Sequence, residues 1–172
     1  MIAKKMQKAI NEQINAELYS AYLYLSMEAY FQSENLQGFA NWMRCQAQEE
    51  VVHAMKFFGF VHDRGGRVTL KAIDGPETSW DSPLAAFKAA YAHEQKVTSL
   101  INSLVKIARE EGDTASEVLL QWYVTEQVEE EASADQVIQK LKLMADAPGG
   151  LFLLDQQLGQ RAFTPPPAGG AK

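Results

Sequence analysis

Seven polar side chains stand where the sequence pattern reserves space for apolar ones. Between Phe39 and Phe60 one segment repeats Phe39, Met43, Gln46, Glu50, His53, Phe57 and Phe60 in alternating steps of four and three. That spacing marks the buried stripe of a long bundle helix, and Gln46, Glu50 and His53 fall in its middle. Three other segments are interrupted in the same way. Glu17 breaks the stripe Ile10, Ile14, Ala21, Tyr24, Met27, Phe31. Glu94 breaks Leu84, Phe87, Tyr91, Thr98, Ile101, Val105, Ala108. Gln127 and Glu130 break Leu120, Tyr123, Ala134, Val137, Leu141, Met144. Burying a carboxylate without a partner costs several kcal/mol. Either these stripes face a solvated groove, or a positive charge sits among them.

The elements that carry the stripes decide between the two. A first helix is expected over 3–33, free of Gly and Pro. After Glu34-Asn35, with Asn35 as the expected N-cap, a second helix runs over 36–64 and ends at Gly65-Gly66. A third opens at Asp81-Ser82-Pro83, a capping hydroxyl before proline, and stops at Glu111-Gly112-Asp113. Thr114-Ala115-Ser116-Glu117 reads as a capping box for the fourth. Pro148-Gly149-Gly150 then precedes a short fifth helix over 151–160. The link from Gly65 to Asp81 carries little periodicity. Such a length fits a four-helix bundle with one crossover, in which the second and third helices run parallel. About 17 extended residues reach ~56 Å, enough to climb a helix of ~43 Å. The fold class expected is therefore all-α, one domain over 1–163, with a flexible tail over 164–172.

Counted from the two tight turns, the interrupting residues share one level. Glu17 lies about 16 residues before the first turn and Glu50 about 15 after it. Glu94 and Glu130 each lie about 18 from the second, so at ~1.5 Å per residue the partners face each other within roughly one turn. A single glutamate on a helix is ordinarily solvated, and Glu-x-x-His occurs freely by chance. Four carboxylates and an imidazole at one depth on four helices are different, because they would repel strongly if ionised and unpaired. A metal centre resolves the conflict. Oxygen-rich ligands with imidazole and no thiolate favour iron or manganese over structural zinc. A ligand charge of about −4 balances two divalent cations, with Glu50 placed to bridge them. A pair of ferrous ions would pass two electrons to dioxygen or peroxide together.

Composition agrees. The net charge of −6 and pI of about 5.1 argue against nucleic acid or an anionic membrane surface as partner. Cys45 is the one cysteine of the 172 residues, which excludes an intrachain disulfide and any Cys-x-x-Cys site. No signal-peptide pattern opens the chain, and no apolar run approaches the ~20 residues that span a bilayer. A cytoplasmic protein is expected.

With these residues in view, the chain resembles the non-haem ferritins of bacteria and archaea over nearly its whole length. The resemblance is carried by Asn15-Ala16-Glu17-Leu18-Tyr19-Ser20-Ala21-Tyr22-Leu23-Tyr24, by Gly38-Phe39-Ala40-Asn41-Trp42-Met43, by Gln48-Glu49-Glu50 with His53, and by Gln121-Trp122-Tyr123-Val124 leading into Glu126-Gln127-Val128-Glu129-Glu130-Glu131. It implies a ferritin-like four-helix bundle with a short C-terminal helix, assembled into a hollow shell of 24 copies. It implies ferroxidase activity and storage of the ferric product as mineral. Glu17, Glu50 and His53 would hold the first iron; Glu50, Glu94 and Glu130 the second, with Gln127 close by. Glu49, Glu126 and Glu129, with Glu130, match a third iron site nearer the cavity. Tyr24 and Trp122 match aromatic groups beside the centre, candidates for electron donors.

Departures from relatives narrow the reading. A bacterioferritin-like centre would repeat Glu-x-x-His on the fourth helix, where this chain has Gln127-x-x-Glu130. The haem-ligating methionine of that group is replaced by Val51, so no haem is expected. Rubrerythrin-like peroxidases append a cysteine-ligated iron module, which one cysteine cannot build. Two alternatives stay open: a diiron oxidase or peroxidase of the same superfamily that stores no iron, and a helical interaction bundle that binds no metal. Asp113 and Glu117 are candidates for lining a pore for iron.

Overall fold

The computed structural model describes residues 1–145 and 147–164. Among them are five helices and no strand: α1 (Lys4–Ser33), α2 (Gln37–Asp63), α3 (Pro83–Glu110), α4 (Thr114–Leu143) and α5 (Gly150–Leu158). The fold is all-α, as expected. Of the expected tail, residues 165–172 lie outside the described residues.

Two three-residue turns fold α1 onto α2 and α3 onto α4, and turns this short make antiparallel neighbours. The sequence assigns Asn35 to the N-cap of α2. It is instead the left-handed residue, at φ 59°, that closes α1. The Leu36 N–H reaches back to Phe31 O at 3.0 Å and the Asn35 N–H to Gln32 O at 3.2 Å, the paired bonds of a Schellman ending. Asparagine tolerates this conformation because its short polar side chain suffers little from the crowding. The start of α2 is capped from elsewhere. Asp155 Oδ1 on α5 accepts the Gly38 and Phe39 N–H groups at 2.8 and 3.1 Å. Gly38 is required there, since a Cβ on it would stand 1.6 Å from the Asp155 carbonyl oxygen.

The capping box expected at Thr114 is displaced by one residue. Asp113 is the cap of α4, accepting the Ser116 N–H at 3.2 Å and the Ser116 hydroxyl at 2.9 Å. The same carboxylate pairs with Arg64 at 3.0 Å, joining the end of α2 to the start of α4. Both Asp113 oxygens are thus committed to the fold, whereas Glu117 remains half-buried without that commitment. The cap expected at Ser82 is found, with its hydroxyl oxygen accepting the Ala85 N–H at 3.1 Å.

The crossover climbs the bundle along one face of α1. Gln7 Oε1 accepts from Arg67 N at 3.3 Å, Asn11 bonds both Arg67 O and Thr69 N, and Ser26 donates to Glu77 O at 2.6 Å. A segment without periodicity is held in place by polar side chains spaced along its neighbour.

The apolar core comes in two parts. One cluster joins the α1–α2 turn end, including Phe31, Phe39, Trp42 and Phe87, with Val137 and Leu141 of α4 and Leu154 and Leu158 of α5. The other joins Met6, Ile10, Ile14, Phe57, Val61, Ile101, Leu120 and Tyr123 at the opposite end. On α3 the buried face runs through Ala90, Val97 and Leu104, beside the Tyr91 and Thr98 named by the heptad count. A straight helix drifts against a strict seven-residue repeat, which leaves those two side chains at the edge.

Candidate metal centre

Between the two apolar clusters lies a layer of buried polar groups. Glu17, Glu50, Glu94 and Glu130 are each at most 5 % exposed, and Gln46, His53 and Gln127 at most 4 %. All seven interrupting residues therefore reach the interior, from all four long helices. The groove alternative fails on this burial.

The carboxylates are oriented by neutral donors. Gln13 Nε2, one turn before Glu17, donates to Glu17 Oε1 at 3.0 Å. Gln127 Nε2 donates to Glu94 Oε2 at 3.1 Å, and the Tyr24 hydroxyl donates to Glu94 Oε1. Gln46 Nε2 donates to Glu130 Oε2. His53 Nδ1 lies 3.4 Å from Glu50 Oε2, and its Nε2 lies 3.7 Å from Glu126 Oε1. The Tyr123 hydroxyl, donating to His53 O at 2.7 Å, and the edge-on Trp122, 5.3 Å away centroid to centroid, fix the position of His53.

Two groups of ligand atoms lie within 4.8 Å of one another: Glu17 with Glu50 and His53, and His53 with Glu126 and Glu130. Glu17 Oε2 is buried and makes no hydrogen bond among the described residues. A buried carboxylate oxygen without a donor is costly, and a cation is the partner that would satisfy it. Hard oxygen donors with one imidazole suit a ferrous ion.

Burial dominates the electrostatics. It pushes Glu17, Glu50 and Glu94 above the usual carboxylate range, in Glu17 against the opposing pull of His53 and Gln13. Burial, helped by the charge of Glu94, raises Glu130 to about 8. Burial opposes the His53 imidazolium, yet Glu126, Glu50 and Glu17 around it raise it to about 11. Glu130 and His53 thus favour their protonated forms at neutral pH when no cation is near. Burial and the neighbouring Glu94 and Glu50 likewise push the Tyr24 phenol well up.

The third group expected from the sequence is only partly brought together. Glu126 faces His53, but Glu49 pairs with Arg161, and Glu129 is exposed and outside both ligand groups. Sequence reasoning missed Gln13 and Arg161. Gln13 was legible, one turn before a glutamate on the same face. Arg161 follows α5 in a stretch with no periodicity, so nothing in its spacing marks it. Also unforeseen is His93, whose Nε2 lies 2.8 Å from Ser20 Oγ and whose ring stands edge-on to Tyr24.

Comparison with known proteins gives the chain's family. The Ferritin-like domain family matches residues 7–144. A bacterial non-heme ferritin of Bacteroides fragilis is 47 % identical over 161 residues, covering 94 % of this chain and all of its own length. One from Staphylococcus aureus is 37 % identical, with 95 % of this chain and 98 % of its own covered. Among solved structures, an open-pore ferritin of the hyperthermophilic archaeon Archaeoglobus fulgidus superposes with a TM-score of 0.93 at 56 % identity, over 94 % of this chain and 100 % of that one. An engineered closed form of the A. fulgidus ferritin gives 0.94 at 56 %, over 95 % and 100 %. The chain belongs to the ferritin family.

Proposed function

We propose that this protein is an iron-storage ferritin that oxidises ferrous iron at a pair of sites within each bundle. Glu17, Glu50 and His53 hold one ferrous ion; Glu50, Glu94 and Glu130 hold the other, with Glu50 between them. The observation that carries this reading is the sealed layer of four carboxylates and one imidazole, with Glu17 Oε2 left without a donor. Ferrous iron is the substrate. Two ferrous ions give up two electrons, which with two protons reduce dioxygen to hydrogen peroxide, or hydrogen peroxide to water. The chain supplies geometry and charge. Gln13, Gln127, Gln46 and Tyr24 aim the carboxylates, and the apolar clusters on both sides keep bulk water out. Protons held by the carboxyl groups leave as cations arrive.

By its resemblance to the non-haem ferritins, the chain would assemble into a shell of 24 copies and pass the ferric product to mineral inside it. Glu126, beside His53, and the exposed Glu129 would conduct it inward. A cytoplasmic setting fits the acidic, cysteine-poor composition, and no described helix is long and apolar enough to cross a membrane.

The test is ferrous oxidation followed by stopped flow, with native mass and retained iron measured on the same sample. His53→Ala is expected to slow the rapid phase and leave the native mass unchanged. Oxidation at the parental rate would overturn the assignment of the first site. A native mass of one or two chains with no retained iron would instead identify a non-storing oxidase.

A further inference from the structure

The chain beyond α5 turns back to the metal layer. The Arg161 backbone carbonyl accepts from Asn41 Nδ2 at 2.9 Å and from the Cys45 thiol at 3.7 Å. The Arg161 guanidinium lies over the Trp42 ring, 4.5 Å from its centroid, and there it forks. Nη1 donates to Gln46 Oε1 at 2.8 Å, while Nη2 pairs with Glu49. Gln46 is completely buried, and its other end donates to Glu130 Oε2.

A guanidinium offers five donors and no acceptor. Any amide that touches it must present oxygen. Arg161 therefore permits Gln46 one orientation, with Oε1 toward the arginine and Nε2 toward Glu130. The reversed amide would set N–H against N–H at one end and oxygen against a carboxylate at the other. Glu49 and the Trp42 face hold the fork in register, and the backbone tethers to Asn41 and Cys45 hold the segment independently of the side chain.

We propose that Arg161 is a positioning residue for the metal centre: by fixing the orientation of Gln46, it fixes one Glu130 oxygen and leaves the other free to face a cation. This rests on the reading of Glu130 as a ligand. The inference also accounts for Glu49, whose charge serves to hold the arginine.

Cobalt(II) tests the relay without redox chemistry, because its visible absorption reports ligand number and geometry. Assembled, metal-free full-length protein is titrated with cobalt(II) by absorption and calorimetry. Arg161→Gln should weaken the Glu130-dependent cobalt by about 10-fold or more, the usual scale for partners that orient a ligand, and alter its visible band. Native mass should not change, since the carbonyl at 161 remains. Gln46→Met should do the same, and the double variant should be no worse than Gln46→Met alone, because the two act in series. Parental cobalt binding by Arg161→Gln, or losses that add in the double variant, would overturn the relay. If Arg161→Gln does not assemble, Gln46→Met alone decides, and parental binding by it refutes the proposal. Glu130→Gln separates the two levels of inference. If it too binds cobalt like the parent, Glu130 is no ligand and the underlying reading falls. If it weakens binding while Arg161→Gln does not, only the relay falls.

Discussion

Replacing Glu130 by glutamine should stabilise the metal-free protein at neutral pH while disabling the centre. In the unfolded chain this carboxyl ionises near 4.5; in the fold it keeps its proton up to about 8. A folded-state value raised above the unfolded one contributes stability in full below about pH 4.5, and that contribution is lost as pH rises toward 8. At about 1.4 kcal/mol per pH unit, the roughly 2.5 units between 4.5 and pH 7 amount to about 3 kcal/mol of instability contributed by one side chain. Glutamine has a similar shape, keeps an oxygen to accept from Gln46, and does not titrate. The assay is urea denaturation of both proteins with chelator present, at one chain concentration because assembly couples to folding. At pH 4 the two should differ little. By pH 7 the variant should be more stable by about 3 kcal/mol, and the gap should widen to pH 8. Added zinc(II) at pH 7 should reverse the order once it is in large excess, since a ligand at about 1,000 times its Kd stabilises by about 4.1 kcal/mol and the variant has lost a site. Parallel stability curves across pH would refute the claim that Glu130 is buried as a carboxyl in need of a cation.

Three further outcomes follow from the geometry. Anaerobic zinc(II) binding at pH 7 in weak buffer should release protons, because Glu130 and His53, raised to about 8 and about 11, hold them in the metal-free protein; a titration with no pH change contradicts this. Gly38→Ala should push α5 off the start of α2, because the added Cβ meets the Asp155 carbonyl at 1.6 Å; amide exchange at Gly38, Phe39 and Leu154 should speed up, and unchanged protection would show that α5 can yield. Phe57→Ala removes a fully buried ring stacked 3.9 Å from Tyr123 and should cost about 3–5 kcal/mol in urea denaturation, with His53 loosened through its carbonyl bond to Tyr123.

The four long helices were legible because each carries an apolar stripe over about six or seven turns, and the polar layer because it breaks all four stripes at one level. The errors sit where tertiary partners override local signals. Asn35 looks like a cap of α2, but Asp155, far along the chain, supplies that cap and frees Asn35 to end α1. Thr114 looks like the cap of α4, but Asp113 also pairs with Arg64 and holds the position on both counts. Arg161 was illegible for the same reason. Its significance comes from what it touches on α2, and no periodicity records that.

The division of the core into two apolar clusters explains how the bundle tolerates its middle. Buried carboxylates without cations destabilise by several kcal/mol each, and the Gln13 amide on α1 offsets only part of that. What offsets the rest is close packing above and below. Phe31, Phe39, Trp42 and Phe87 pack together on one side, and Phe57 on Tyr123 on the other. These clusters also set the depth of the layer, because Ile14 and Ala21 flank Glu17 on the buried face of α1 and Ala134 follows Glu130 on that of α4. The carboxylates can neither spread apart nor reach water, so they take up protons or cations. The same packing that makes the metal-free layer costly keeps it in the geometry that cations need.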